Sequence, residues 1–129
     1  MIASLFKMTI DSTIPTSTKL YDLGFIDTVC RGNQVVKKKM LDTFISTIPL
    51  DVVKIKNAHE SGDFETVSQI AHKIKPVLAT YGINSVAEEI NAIEILAKDQ
   101  PGHPELFGKI ELVVNTVNLV AQDIKINFL

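Results

Sequence analysis

The sequence predicts an all-α protein, an antiparallel up-down-up-down four-helix bundle with a short additional helix in front. Apolar residues recur at helical spacing almost everywhere after residue 18, and two-residue alternation is scarce. The apolar stripes are separated by short loops, which favour antiparallel neighbours. A length of 129 residues allows one core of ordinary size. We therefore expect a single bundle domain over residues 18–129, preceded by a loosely ordered leader over residues 1–17, where no clear period exists.

The front of the bundle domain is predicted to be a short helix capped by Thr18 and ended by Gly32. Its apolar face comprises Leu20, Leu23, Ile26 and Val29. The second helix is predicted to start at Asn33, a good capping residue, and to end at Gly62. Its inward stripe comprises Val36, Met40, Leu41, Phe44, Ile45, Ile48, Val52, Ile55 and Ala58. Pro49 interrupts this stripe and predicts a kink or a brief break, because proline lacks an N–H and clashes with the carbonyl four residues back.

Three further helices complete the predicted bundle. Asp63 caps the third helix and Gly82 closes it. Ser85 and Glu88 have the S-x-x-E spacing of a capping box, which predicts the start of the fourth helix. Pro104 suits the first position of the long last helix. The apolar stripe of the third helix comprises Val67, Ile70, Ala71, Ile74, Val77, Leu78 and Tyr81. That of the fourth helix comprises Val86, Ile90, Ile93 and Ala97.

Composition excludes several classes of protein. Lys and Arg total 13 against 15 Asp and Glu, so the formal charge is −2 and argues against general nucleic-acid binding. Cys30 is the single cysteine, so neither an internal disulfide nor a multi-cysteine zinc site is possible. Apolar runs are too short to cross a bilayer. Lys7 and Thr9 interrupt the apolar residues at the start of the chain, which makes this segment a poor hydrophobic region for a signal peptide. We expect a soluble cytoplasmic domain.

The residues point to no metal or nucleotide site. Di-iron bundles use Glu-x-x-His pairs, but the positions three residues before the three histidines hold Lys56, Gln69 and Gln100. No glycine-rich phosphate loop is present, which argues against ATP hydrolysis by this chain alone. A Ser-His-Asp or Cys-His site stays open on composition.

His72 lies off the apolar stripe of the third helix. Lys75 and Ala79 follow it at i+3 and i+7, so they stack on the same solvated face. An imidazole beside an ammonium group could hold an anion. The alternative is a solvated surface histidine with a solubilising lysine, and the helical pattern alone leaves both open. His59 and His103 are expected to be solvent-exposed near helix ends.

The segment Ala71-His72-Lys73-Ile74-Lys75-Pro76, with Gly82 ten residues after the histidine, resembles the signature of histidine phosphotransfer (HPt) domains. That signature is A-H-x-[LI]-K-G followed by a second glycine that closes the helix. The resemblance extends from about residue 19 to the end of the chain. Further matching positions are Tyr21 to Ile26, Gly32, Asn33, Met40, Phe44, Pro49, Ala58, Gly62 and Asp63.

The resemblance implies a function and its partners. HPt domains are four-helix bundles whose exposed histidine accepts a phosphoryl group from a receiver-domain aspartate and passes it to another. It implies receiver domains of response regulators or hybrid sensor kinases as partners, with no nucleic acid, no membrane and a monomeric carrier. No cofactor is implied, because Mg²⁺ is expected on the receiver only. The start at Met1 and the short leader favour a free-standing phosphocarrier without its own ATP site.

The resemblance also assigns roles to residues. It implies that His72 is the phosphoryl acceptor, that Lys75 stabilises the phosphoryl oxygens and that Glu94 orients the histidine, holding Nδ1–H so that Nε2 attacks. An ion pair of Glu94 with Lys98 at i+4 is an equal alternative. The expected partner-binding residues are Lys73, Pro76, Ala79 and Asn91.

Pro76 departs from the family pattern, which has glycine there. Proline is compact and keeps the histidine accessible, but it cannot donate to the carbonyl of His72 and predicts a kink there. This departure is the best support for an alternative function, a non-transferring bundle that binds and inhibits receiver domains or kinases. A purely structural bundle or dimerisation module would need an uninterrupted apolar seam with charged flanks, which the pattern lacks.

Overall fold

The computed structural model describes residues 20–129, so the expected leader over residues 1–17 and the cap at Thr18 lie outside the described residues. Within that range the chain is helical and contains no strand. Among residues 20–129, a single 3₁₀ turn, Asn84–Val86, precedes the fourth of five α-helices. The α-helices are α1 (Gly24–Cys30), α2 (Gln34–Glu60), α3 (Phe64–Thr80), α4 (Ala87–Asp99) and α5 (Leu106–Phe128).

The four long helices enclose one core. α2 packs against α3 and α5, α4 packs against the same two helices, and α1 lies on α2. Most of the predicted apolar stripes face this core, as for Phe44, Ile74 and Ile93, which are at most 1% exposed. Val29 and Val36 were expected in the core but are 49% and 41% exposed. Val36 sits in the first turn of α2, ahead of the first buried residue of that helix, and α1 buries Cys30 instead of Val29.

Side-chain caps define two of the helix starts. The Oδ1 atom of Asn33 accepts hydrogen bonds from the N–H groups of Val35 and Val36, both at 3.1 Å, and Asp63 accepts one from the Thr66 N–H at 3.2 Å. These contacts confirm the caps predicted for α2 and α3. The capping box predicted for α4 is wrong. Because the chain enters α4 through the 3₁₀ turn, the residue that precedes α4 is Val86, which has no capping side chain.

Proline does not interrupt the long helices. α2 runs unbroken from Gln34 to Glu60 with Pro49 inside it, so the predicted brief break is wrong and a bend stays a prediction. The hydroxyls of Thr43, Ser46 and Thr47 donate to the carbonyls four residues earlier, in the turns ahead of the proline. At its two ends the bundle differs from the prediction by a few residues, because α1 begins at Gly24 and α5 begins two residues after Pro104.

The connection from α3 to α4 packs closely on the segment in front of α1. Gly82 has a φ of +68°, and a Cβ there would lie 2.0 Å from the carbonyl oxygen of Asp22. Only glycine fits both demands. The neighbouring Tyr21 donates its hydroxyl hydrogen to Asp123 on α5, and burial together with that carboxylate raises the pKa of the Tyr21 phenol. The front segment is thereby fixed to two parts of the bundle.

Candidate functional site

His72 projects from the middle of α3 with its side chain 73% exposed. Its Nδ1 lies 2.7 Å from Oε2 of Glu94 on α4. An ionised carboxylate only accepts hydrogen bonds, so Nδ1 carries the proton and donates it. Within residues 20–129 no hydrogen bond involves Nε2. In the neutral ring this tautomer leaves the Nε2 lone pair available to a molecule arriving from solvent.

Glu94 also binds the neighbouring lysine. Its Oε1 accepts a hydrogen bond from the Lys75 ammonium at 2.8 Å, and the same ammonium donates to Oδ1 of Asn91 at 3.0 Å. The hydrogen bond from Lys75 lowers the pKa of the Glu94 carboxyl, partial desolvation opposes this effect, and the hydrogen bond from His72 lowers the pKa further. The carboxylate therefore stays ionised at neutral pH and can serve both partners.

Helical spacing on two adjacent helices assembles this cluster. His72 and Lys75 are three residues apart on α3, and Asn91 and Glu94 are three apart on α4, so each pair shares one helix face. The helices are also joined at this level by the Ser68 hydroxyl, which donates to the Glu94 carbonyl at 3.0 Å. Below the cluster, the buried residues Ala71, Ile74, Ile90 and Ile93 fill the contact between α3 and α4.

The structure brings together four of the seven residues that the sequence singled out, namely His72, Lys75, Asn91 and Glu94. In the described part of the chain the Glu94 carboxylate pairs across helices with His72 and Lys75 rather than along α4 with Lys98. The cross-helix pairing is possible because α3 packs directly against α4.

The remaining three residues lie beside the cluster. Pro76 and Ala79 are exposed on α3, which continues unbroken through the proline to Thr80, and the kink predicted near His72 stays a prediction. Lys73 turns to the other side of α3, where its ammonium lies 3.2 Å from Oδ2 of Asp51 on α2.

Asp51 was missed by the sequence analysis. Its residue surface is only 5% exposed, so it is a buried carboxylate beside the helix that carries the histidine. A signal was available, because Asp51 stands seven residues after Phe44 and three after Ile48, within the buried stripe of α2. A charged residue in such a position is uncommon unless it has a partner.

The other two histidines lack this arrangement. Both are half-buried rather than exposed as expected. The His59 ring packs against the rings of Phe64 and Phe107, with centroids 5.7 Å and 5.8 Å away, and Nδ1 of His103 accepts the N–H of Glu105. Across residues 20–129, neither histidine forms an ion pair with a carboxylate. His72 alone combines exposure with an oriented ring.

The described residues contain neither a metal-binding cluster nor a membrane-spanning helix. No group of three or more His, Cys, Asp or Glu side chains is placed to hold a metal ion in that range. Likewise, none of its helices combines the length and apolarity that crossing a membrane requires.

The fold and the site define a class: a small helical bundle that presents one oriented histidine, with a lysine beside it, on an open helix face. Comparison with protein families agrees, because the model of the Hpt domain matches residues 39–122, more than half of the chain. The chain belongs to the Hpt domain family, whose members act in histidine phosphotransfer within phosphorelays and interact with receiver domains. Neither the curated proteins nor the solved structures yielded a match.

Proposed function

We propose that this protein is a phosphocarrier in which His72 accepts a phosphoryl group from a receiver-domain aspartyl phosphate and passes it to another receiver aspartate. The observation that carries the proposal is the hydrogen bond from His72 Nδ1 to Glu94 on an exposed helix face. This contact leaves Nε2 as the nucleophile. The imidazole ring is exposed to solvent, as phosphoryl transfer between two proteins requires.

The chemical step follows from that orientation. The Nε2 lone pair attacks phosphorus, an N–P bond forms, and the P–O bond of the acyl phosphate breaks as the receiver carboxylate leaves with the electron pair. The ring keeps its Nδ1 proton and becomes cationic. Glu94, which already accepts that proton's hydrogen bond, stabilises the cation in the way that a carboxylate stabilises an imidazolium in other histidine sites. The reverse sequence returns the phosphoryl group to a second receiver.

Lys75 is the proposed electrostatic partner of the phosphoryl oxygens. It stands one turn from His72, and its side chain is 37% exposed, so it borders solvent. Glu94 and Asn91 hold the ammonium group before any phosphoryl group arrives. Such preorganisation means that little reorganisation is needed as charge develops in the transition state.

The face around His72 is the proposed docking surface for receivers. Lys73, Pro76, Ala79 and Asn91 border the histidine there, and the compact side chains of Pro76 and Ala79 leave space for an approaching domain. Mg²⁺ and the acidic pocket would belong to the receiver. We further propose a cytoplasmic monomer that needs no cofactor of its own.

We propose that the bundle spans residues 18–129 in up-down-up-down order. Two contacts between α2 and α5 support the antiparallel order. Lys37 near the start of α2 lies over the ring of Phe128 at the end of α5, with 4.9 Å to the centroid. Lys56 near the end of α2 pairs with Glu111 near the start of α5 at 3.0 Å.

Pro76 favours a second candidate, a bundle that binds and inhibits receivers or kinases without transfer. Proline removes the N–H that would reach the His72 carbonyl and adds a ring where the family has glycine. A structural dimerisation module has less support. Leu112, Leu119 and Ile126 are exposed on α5 at seven-residue spacing, but the polar residues Asn115 and Gln122 stand between them.

Phosphoryl transfer from receivers tests the proposal. The protein is incubated with a panel of phosphorylated receivers from the same genome, and acid-labile label is followed on the wild type, on His72→Gln and on the control His103→Gln. We expect label on the wild type and the control only. Receivers that stay phosphorylated while still binding the protein would support the inhibitor instead.

A further inference from the structure

A groove of about 360 Å³ lies between α2 and α3, on the opposite side of α3 from Glu94. We call it the Asp51 groove. Buried Phe44 and Ile48 and half-buried Met40 and Val77 supply its apolar surface. Asp51 and Lys73 also line it. Lys73, the residue that follows His72, therefore lines a groove that takes no part in the proposed phosphoryl transfer.

Asp51 is an incompletely satisfied polar group in this groove. Its Oδ2 is buried and accepts no hydrogen bond from residues 20–129. The Lys73 ammonium lies 3.2 Å away, which supplies opposite charge without hydrogen-bond geometry. A buried acceptor left without a donor destabilises the folded protein. A molecule that brings a donor into the groove would relieve part of that destabilisation.

The charges in the groove decide which donor fits. The Asp51 carboxylate and the Lys73 ammonium already cancel, so an added cation would place uncompensated positive charge against apolar side chains. A neutral O–H or N–H donor adds no charge. The lining by Met40, Phe44 and Val77 favours an aromatic body behind that donor, because thioether and aromatic groups pack well on rings.

We propose that the Asp51 groove is a specificity site that takes the tyrosine or tryptophan side chain of a docking receiver, with its O–H or N–H donating to Asp51. This inference rests on the proposed function for the identity of the partner. Lys73 and Val77 line the groove and follow His72 by one and five residues on α3, so a receiver centred on the histidine reaches both. Asp51 is then a specificity-determining residue that does not touch the reacting atoms.

Small probes test the chemistry of the groove without any receiver. The amide spectrum of the ¹⁵N-labelled protein is titrated with 4-methylphenol, with toluene and with butylguanidinium. We expect 4-methylphenol to shift the signals of Thr43, Thr47 and Val77 and to bind about threefold to tenfold more tightly than toluene, the value of one net hydrogen bond. Asp51→Leu should reduce 4-methylphenol to the affinity of toluene.

Three variants test this interpretation. Asp51→Leu is expected to fold, because it removes the buried charge and leaves Lys73, whose side chain is 67% exposed and can be solvated by water. Asp51→Asn keeps a weaker acceptor of the same shape. Asp42→Asn removes the same charge from the exposed face of α2 and should change nothing. Equal binding of toluene and 4-methylphenol to the wild type, tighter binding of butylguanidinium, or shifts confined to another surface would each overturn the proposed chemistry.

Transfer kinetics then test the receiver as the occupant. At limiting concentrations of phosphorylated receiver, Asp51→Leu should slow transfer at least about threefold, while labelling of His72 by phosphoramidate, a small phosphoryl donor, stays at the wild-type rate. Unchanged transfer from every receiver that labels the wild type would refute the receiver as occupant. Failure of phosphoramidate to label the wild type would instead count against the proposed function and leave the probe results standing.

Discussion

Replacement of Glu94 should slow phosphorylation of His72 by a predictable amount. The carboxylate accepts one hydrogen bond from His72 Nδ1 at 2.7 Å and one from Lys75 at 2.8 Å. Glu94→Ala removes both acceptors, so the ring loses its fixed tautomer and the lysine loses its anchor. Glu94→Gln keeps an amide oxygen for Nδ1–H but loses the negative charge that stabilises the cationic ring.

The exposure of the site sets the magnitude. The side chains of His72 and Lys75 are 73% and 37% exposed, so each contact is worth less than a buried charged hydrogen bond. Exposed ion pairs contribute about 0.2–1 kcal/mol, against about 1.5–3 kcal/mol for hydrogen bonds to charged groups. Loss of both contacts should therefore cost about 1–2 kcal/mol of transition-state stabilisation, which slows the reaction about fivefold to thirtyfold. Glu94→Gln should slow it about twofold to fivefold.

Phosphoramidate labelling measures this effect on the histidine without a receiver. Rates are compared for the wild type, Glu94→Gln and Glu94→Ala, with Glu88→Ala as an exposed control on the same helix. The order wild type, Gln, Ala is expected, with the control at the wild-type rate. If Glu94→Ala reacted as fast as the wild type while its fold was intact, the orienting role of the carboxylate would be refuted.

Further predictions concern pH, caps, the close approach of the α3–α4 connection and assembly. The folded protein holds the pKa of Glu94 below its ordinary value of 4.5, so the unfolded chain binds a proton at this residue first as the pH falls. The stability that the wild type gains over Glu94→Gln should therefore be full above pH 4.5 and decrease below it. Urea unfolding at several pH values measures this difference. Asn33→Ala removes the acceptor of two hydrogen bonds at the start of α2 and should lower the free energy of unfolding by about 1 kcal/mol, and unchanged stability would contradict that cap. Gly82→Ala should lower the free energy of unfolding by more than the ~1–2 kcal/mol that a left-handed backbone costs a residue with a side chain, because its Cβ would also collide with the Asp22 carbonyl. Gly62→Ala, with a φ of +80° and open space around it, should lower the free energy of unfolding only by the backbone contribution. Sedimentation equilibrium should show a monomer, and a stable dimer would support the alternative that this bundle is a dimerisation module.

Much of the fold followed from periodicity and capping chemistry. The helical spacing of Phe44, Ile74 and Ile93 correctly placed them in the core, and Asn33 and Asp63 capped the helices as their side chains predict. The errors share a cause. Capping boxes and apolar stripes describe a regular helix, whereas the start of α4 is a 3₁₀ turn and the first turn of α2 extends past the packed core.

The candidate site could be predicted only in part. Spacing along one helix placed His72 and Lys75 on one face, but contacts between helices depend on packing that no single helix encodes. Glu94 therefore had two equally good partners before the position of α3 was known. The burial of Asp51 could have been predicted from its place in the stripe of α2, but its role could not, since its partner Lys73 stands on a different helix and the groove exists only where the two helices meet.

Nitrogen-15 NMR of the histidine rings after treatment with phosphoramidate tests the central claim most directly. The spectra identify which of the three histidines carries phosphorus and on which ring nitrogen. The geometry predicts phosphorus on Nε2 of His72, with Nδ1 still protonated and bound to Glu94. Phosphorus on Nδ1 of His72, on His59 or His103, or on no histidine would contradict it.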